Sequence, residues 1–201
     1  ADILWSAGFI YLWKTKGVVL SVKEASVNIP GIFVQNLIVE AVPILLFFLF
    51  LFRLGKNFQT EMYLKITGKM QKCTVGILGG ILLALALWCL VTKADKVTVL
   101  YNLLYYTVFI AFAEEFVVRG ICVYLVRGEE PYIRYLAPNL LFAVMHLFSY
   151  ANWGAITVPY VISFVSSELL GLLTMGCIFQ FLKEKSGTLW MAVLVHAILV
   201  Q

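Results

Sequence analysis

Long apolar runs separated by short polar connections make up most of this 201-residue sequence. The first complete run, residues 29–52, is long enough to cross about 30 Å of hydrocarbon as a helix that rises about 1.5 Å per residue. A shorter run precedes it at residues 3–13, and further runs follow at residues 73–91, 97–126, 132–150, 157–182 and 188–201. The sequence therefore predicts an all-α, polytopic transmembrane helix bundle with about six to seven spans and a buried polar site.

Composition agrees with lipid as the solvent of this chain. Hydrophobic residues make up 62% of the sequence and charged residues only 13%. A soluble domain of this size cannot hide that much apolar surface. The net charge of +4 comes from basic residues that lie between the apolar runs rather than in an aromatic-flanked patch. We therefore predict a lipid bilayer as a partner, and no nucleic acid.

The basic residues of the connections predict an orientation. After the first full run, alternate connections carry nine Lys and Arg residues on one side of the bundle and two, Lys93 and Lys96, on the other. Because positive connections stay inside, we predict that residues 53–72, 127–134 and 183–187 are cytoplasmic. The predicted location is the bacterial plasma membrane.

We predict one bundle rather than two domains. The bundle covers residues 29–201, and its motif-bearing core covers residues 97–201. Residues 1–28 form a partial or interfacial N-terminal helix and a polar connector.

Three charged residues interrupt the run at residues 97–126, namely Glu114, Glu115 and Arg119. A charged side chain at mid-bilayer costs about 2.5–3.5 kcal/mol on insertion scales, so such groups usually mark function. Glu115 and Arg119 are four residues apart, with the acid first, which favours an ion pair on one helix face. Glu114 points about 100° away and has no such partner, which suits a general base.

The two histidines of the chain lie in other apolar runs. Counted from Arg127, Arg134 and Lys185 at the inner helix ends, Glu114, His146 and His196 lie 13, 12 and 11 residues into the membrane. These positions correspond to a common depth of about 17–20 Å. We expect a shared site, with a purely structural polar cluster as the alternative. Glu40 and Glu168 lie at a similar depth, and we assign no catalytic role to them.

Three motifs in this order resemble the CPBP (Abi) family of intramembrane proteases. They are Glu114-Glu115-x-x-x-Arg119, then Phe142-x-x-x-His146, then His196 in the final apolar run. That family includes CAAX prenyl endopeptidases and bacteriocin-processing or immunity proteins. The resemblance covers about residues 97–201 and implies a glutamate-dependent, metal-independent peptidase.

The resemblance also implies a role for each residue. Glu114 with His146 would activate a water, and His196 would help to stabilise the oxyanion. Glu115 and Arg119 would order the site, and Phe142 would pack on the imidazole of His146.

One position departs from the family pattern. The family usually has Asn or Asp four residues after the last histidine, where this chain has Val200. Loss of an oxyanion donor can cost about 10²–10³ in rate. Asn139 and Gln201 are the possible substitutes.

Three functions stay open at this point. The first is an intramembrane endopeptidase acting on a hydrophobic or membrane-tethered peptide. The second is a catalytically weak or inactive immunity or scaffold protein that binds a peptide or partner in the same cavity. The third is a proton-coupled transporter, which the absence of repeat symmetry disfavours.

We predict no metal and no other cofactor. Zinc is the alternative, because two histidines and a glutamate can bind it. The H-E-x-x-H motif is absent, however, and the three ligands would have to come from three different helices.

Overall fold

The computed structural model describes residues 28–150 and 157–200, with no description of the side chains of residues 147–150. The predicted N-terminal helix at residues 3–13 and its connector, together with Gln201, lie outside the described residues. Within these ranges the structure contains helices and no strand, as the sequence predicts. The helices are α1 (Ile29–Val39), α2 (Ala41–Leu54), α3 (Phe58–Glu61), α4 (Lys69–Thr92), α5 (residues 96–125), α6 (Pro131–Tyr150), α7 (Val158–Ser167), α8 (Leu169–Ser186) and α9 (Leu189–Val200).

Local sequence explains several helix ends. The side chain of Asn28 accepts a hydrogen bond from the backbone of Gly31 at 3.0 Å and begins α1. Asp95 begins α5 in the same way, by accepting from the backbone of Thr98 at 3.0 Å. The run at residues 29–52 is not one helix, because α1 ends at Val39. Pro43 has no N–H to donate to the carbonyl of Val39, and its ring disfavours continuation of the helix at that point.

The helix α5 carries the double glutamate and is not a regular α-helix. Its hydrogen bonding is π-helical over Tyr105–Phe112 and again over Phe116–Cys122, on either side of the short α-helical segment Ala113–Glu115. Such wide turns are uncommon and are frequently found at functional sites. The sequence did not predict them.

The last helix, α9, occupies the centre of the bundle. It packs against α4, α5 and α8, and α8 in turn packs along α6. Ala111 of α5 and Ala197 of α9 are fully buried, so small side chains allow these two helices to approach closely. The glutamates of α5 and His196 of α9 are therefore on neighbouring elements.

Two helical stretches are long and apolar enough to cross a membrane, Ala41–Glu61 and Lys69–Thr92. The pair α7 and α8, bent by 42° between them, makes a third if it is counted as one broken span. The described part of the chain thus has two or three candidate spans, and the count of six to seven is not confirmed. The break at Glu40 is one reason, since it leaves α1 with only 11 residues.

Many large apolar side chains face outward, as expected for a protein that contacts lipid. Phe52 is 82% exposed, Val91 80% and Trp88 68%. In water, an exposed apolar surface of this kind would favour aggregation of a monomer.

The three basic connections lie together at one end of the bundle. Gln71 at the start of α4 donates to the carbonyl of Ser186 at 2.7 Å. The carbonyl of Tyr63 accepts from the backbone N–H of Leu189 at 2.7 Å. Arg127, Arg134 and Lys183 line one cavity at this end. The arrangement agrees with the predicted alternation of connections, whereas their cytoplasmic location stays a prediction.

Candidate active site

Glu115 connects two helices at the centre of the bundle. Its Oε1 atom accepts a hydrogen bond from Nη1 of Arg119 at 3.2 Å, which is the ion pair that the spacing predicts. The same oxygen lies 2.9 Å from Nδ1 of His196 on α9. Glu115 and Arg119 are both fully buried. Because a carboxylate only accepts hydrogen bonds, Nδ1 of His196 is the donor, and its ring orientation is fixed.

Glu114 lies beside this pair but is not part of it. Its Oε2 atom is 3.9 Å from Nε2 of His196, which is longer than a hydrogen bond. That oxygen is itself buried and has no hydrogen-bond partner among the described groups, while 32% of the side chain is exposed. A separation above 3.5 Å between two polar atoms is one that a water or a substrate oxygen can bridge.

His146 reaches the same region from α6. Nδ1 of His146 lies 2.8 Å from the carbonyl oxygen of Phe142, and the imidazole meets the Phe142 ring edge-on at 4.6 Å between centroids. With Nδ1 donating to that carbonyl, the lone pair of the neutral ring is on Nε2. The carboxylate of Glu114 interacts electrostatically with both His146 and His196. The structure therefore brings together the three titratable residues that the sequence placed at one depth.

The guanidinium of Arg119 is held by polar and aromatic groups. Its Nη2 donates to Oδ1 of Asn139 at 3.1 Å, and its Cζ lies 4.4 Å from the ring centroid of Phe142 and 5.5 Å from that of Phe179. Gly176 makes room for this arrangement. A Cβ atom there would lie only 2.8 Å from Oδ1 of Asn139 and 2.9 Å from Nη2 of Arg119.

Asn139 has a structural role, which corrects its suggested role as an oxyanion donor. The side chain is fully buried, and its Nδ2 donates both to the carbonyl of Tyr135 at 2.7 Å and to Oε1 of Gln180 at 3.3 Å. Since an amide nitrogen carries two hydrogens, none is left for an oxyanion. Gln201, the other suggested donor, lies outside the described residues.

A model of the family described as type II CAAX prenyl endopeptidase Rce1-like matches residues 96–200. The chain belongs to this family. The match begins at the first residue of α5 and spans every described residue of the site. It confirms the resemblance to the CPBP proteases, and at the family level the chain is a CPBP-type intramembrane protease and an integral membrane protein. No curated protein and no solved structure matches the chain significantly.

Three residues of α8 belong to the surroundings of this family site but were missed from the sequence. Phe179 stacks on the imidazole of His196 with 4.9 Å between ring centroids. Nζ of Lys183 donates to the carbonyl of Arg119 at 2.9 Å. Gln180 is fully buried and donates to the carbonyl of Arg134 at 3.3 Å.

The contact of Gln180 has a simple origin. Pro138, four residues after Arg134, has no N–H, so the carbonyl of Arg134 lacks its helical partner. The signal in the sequence was a glutamine inside an apolar run, because a polar group at that depth needs a partner.

The position where the family usually has Asn or Asp is apolar in this structure too. Val200 lies in the last turn of α9, one turn after His196, and offers no hydrogen-bond donor. Glu40 and Glu168, which we did not assign to catalysis, lie at the helix junctions α1–α2 and α7–α8.

The described side chains contain no group of three or more His, Cys, Asp or Glu residues that could hold a metal ion.

Proposed function

We propose that this protein is an intramembrane endopeptidase. It hydrolyses a peptide bond of a hydrophobic or membrane-tethered peptide, using a water activated by Glu114 and His146. The observation that carries the proposal is the Oε2 atom of Glu114. It is buried, it has no hydrogen-bond partner among the described groups, and it faces Nε2 of His196 at 3.9 Å.

The hydrogen bonds of the site support Glu114 as the general base. Glu115 already accepts hydrogen bonds from Arg119 and His196. Oε2 of Glu114 accepts no hydrogen bond from the described groups, so this carboxylate can accept a proton from water.

The reaction then follows in two steps. Glu114 takes a proton from the water, and the water oxygen bonds to the scissile carbonyl carbon, with Nε2 of His146 accepting a hydrogen bond from that water. The carbonyl oxygen becomes an oxyanion, which the Nε2–H of protonated His196 stabilises. The C–N bond next breaks, and Glu114 returns its proton to the leaving amine. Glu115 and Arg119 hold His196 in position throughout.

The test uses the protein reconstituted in liposomes with a library of membrane-tethered peptides, and mass spectrometry identifies the products. We expect Glu114→Gln and His146→Ala to abolish cleavage. Glu168→Gln is the matched control, because it removes an acid from an apolar helical region but at an exposed position. Added chelator should have little effect if no metal takes part. Cleavage at the wild-type rate by both site variants would exclude the proposed mechanism.

Val200 favours a second candidate, an immunity or scaffold protein that binds a peptide or partner in the same cavity without turnover. A site with one oxyanion donor fewer can be very slow while it still binds peptide. Peptide binding and a cellular phenotype that both survive Glu114→Gln would decide for this candidate. Loss of the phenotype together with cleavage would decide for the enzyme.

A further inference from the structure

A cavity with polar and apolar walls lies at the basic end of the bundle. Its volume is about 230 Å³, and its walls come from the C-terminal end of α5, the first turn of α6, the last turns of α8 and the connector after α3. Its charged residues are Arg127, Arg134, Lys183, Glu61 and Glu184. Four of them have no part in the catalytic proposal, and Lys183 contacts the site only by donating to the backbone carbonyl of Arg119.

Positive charge exceeds negative charge in this cavity. Three cationic side chains face two carboxylates, and one of those carboxylates, Glu184, already accepts a hydrogen bond from Gln180 at 3.0 Å. The ion pairs within 4.0 Å among the described residues all lie at the Glu114–Glu115 site. Arg127, Arg134 and Lys183 therefore form no ion pair with a described carboxylate, and the excess positive charge of the lining favours an anion.

The cations are held in place by groups other than carboxylates. The guanidinium of Arg127 lies 3.8 Å from the ring centroid of Tyr124, and Nζ of Lys183 lies 4.1 Å from that of Tyr63. Nε of Arg134 is buried and has no hydrogen-bond partner in the described part of the chain. An unsatisfied buried N–H is costly, and a ligand oxygen would satisfy it.

One wall of the cavity is fixed by an unusual backbone conformation. Tyr63 has a φ of +57°, which side chains rarely adopt. Its carbonyl accepts from the backbone of Leu189 at 2.7 Å and from the hydroxyl of Thr188 at 3.2 Å, so the connector is attached to the start of α9. Contacts within the protein thus hold this wall of the cavity in place.

We propose that this cavity binds a phosphate group, either from the headgroup of an anionic lipid or as free phosphate. The planar guanidinium of arginine can donate two parallel hydrogen bonds to phosphate oxygens. The cationic residues lie within about two turns of helix ends, where a lipid headgroup can reach them. Basic pockets between transmembrane helices on the inner side are known sites for such headgroups.

The experiment compares lipid and phosphate on the purified, full-length chain in detergent. Native mass spectrometry counts bound phosphatidylglycerol against phosphatidylcholine, and thermal unfolding is followed with each lipid and with inorganic phosphate. We expect the protein to bind phosphatidylglycerol in preference to phosphatidylcholine. The dissociation constant for phosphatidylglycerol should rise about tenfold in Arg134→Gln and in Arg127→Gln. Arg134→Lys should recover part of the affinity. The matched control is Arg53→Gln, an exposed arginine at the same end that does not line the cavity.

The measurements with lipid and with inorganic phosphate distinguish the two sources of the phosphate group. Stabilisation by phosphatidylglycerol but not by inorganic phosphate identifies a lipid site, and stabilisation by both identifies a site for phosphate in general. Equal losses in Arg53→Gln and in the cavity variants would mean that binding depends only on overall charge, which overturns the proposal. No preference for phosphatidylglycerol together with no effect of phosphate also overturns it.

Discussion

Nδ1 of His196 and Oε1 of Glu115 lie 2.9 Å apart although 81 residues separate them in the chain. The same glutamate oxygen accepts from Arg119, so one buried atom positions the imidazole of His196 on α9 and the guanidinium of Arg119 on α5. This relationship explains why two adjacent glutamates can do different work. Glu115 accepts hydrogen bonds from Arg119 and His196, whereas Glu114 interacts electrostatically with both histidines.

Replacing the shared carboxylate should damage both stability and activity. Glu115→Gln leaves Arg119 buried without its ion-pair partner, which we expect to cost about 3–5 kcal/mol of unfolding free energy. It also removes the negative charge that supports protonated His196, so peptide cleavage should fall by at least about 10²-fold. Denaturant unfolding in micelles and cleavage in liposomes measure the two effects. Glu129→Gln, at an exposed position, should change neither. Unaltered cleavage by a folded Glu115→Gln protein would show that His196 needs no support from this residue.

A methyl group at Gly176 should separate Arg119 from Asn139. The added Cβ would lie under 3.0 Å from both polar atoms, and these are confined by their own hydrogen bonds. We expect Gly176→Ala to destabilise the protein by about 1–3 kcal/mol through overpacking. Gly171→Ala in the same helix is the control, because no atom of the described chain lies within 4 Å of its new Cβ. Equal thermal stability of the two variants would contradict the close approach of α5, α6 and α8.

An amide one turn after His196 should raise activity if an oxyanion donor is missing. Val200→Asn restores the residue type that the family usually has, and we expect peptide cleavage to increase at least about tenfold. Leu199→Asn introduces the same amide about 100° away, at a position that is 58% exposed, and should have no such effect. Cleavage kinetics at saturating peptide separate this effect from binding. If Val200→Asn is no faster than wild type, another group already supplies the donor.

The predicted orientation can be tested with single cysteines. A membrane-impermeant maleimide should label Glu129→Cys only after the cells are opened, because positive connections remain inside. It should label Ala94→Cys, in the connection with Lys93, on intact cells. Both positions are exposed, and Cys73, the exposed natural cysteine, is replaced by serine in both variants. The reverse labelling pattern would invert the topology while leaving the site geometry unchanged.

The sequence by itself determined what depends on local spacing. Residues four apart on a helix share a face, so the ion pair of Glu115 with Arg119 followed from the spacing. The contact of Phe142 with His146 followed from the family resemblance. Composition predicted helices in lipid, and the motifs predicted the family.

Only the tertiary structure decided which atoms meet across helices. It assigned Asn139 to Arg119 and Gln180 rather than to an oxyanion, and it added Phe179 and Lys183 to the surroundings of the site. It also showed that a proline divides the first run and that the helix of the two glutamates has wide turns. The physical reason is that such contacts depend on helix rotation and packing distance. Both are set by side chains far apart in the sequence, which no local spacing encodes.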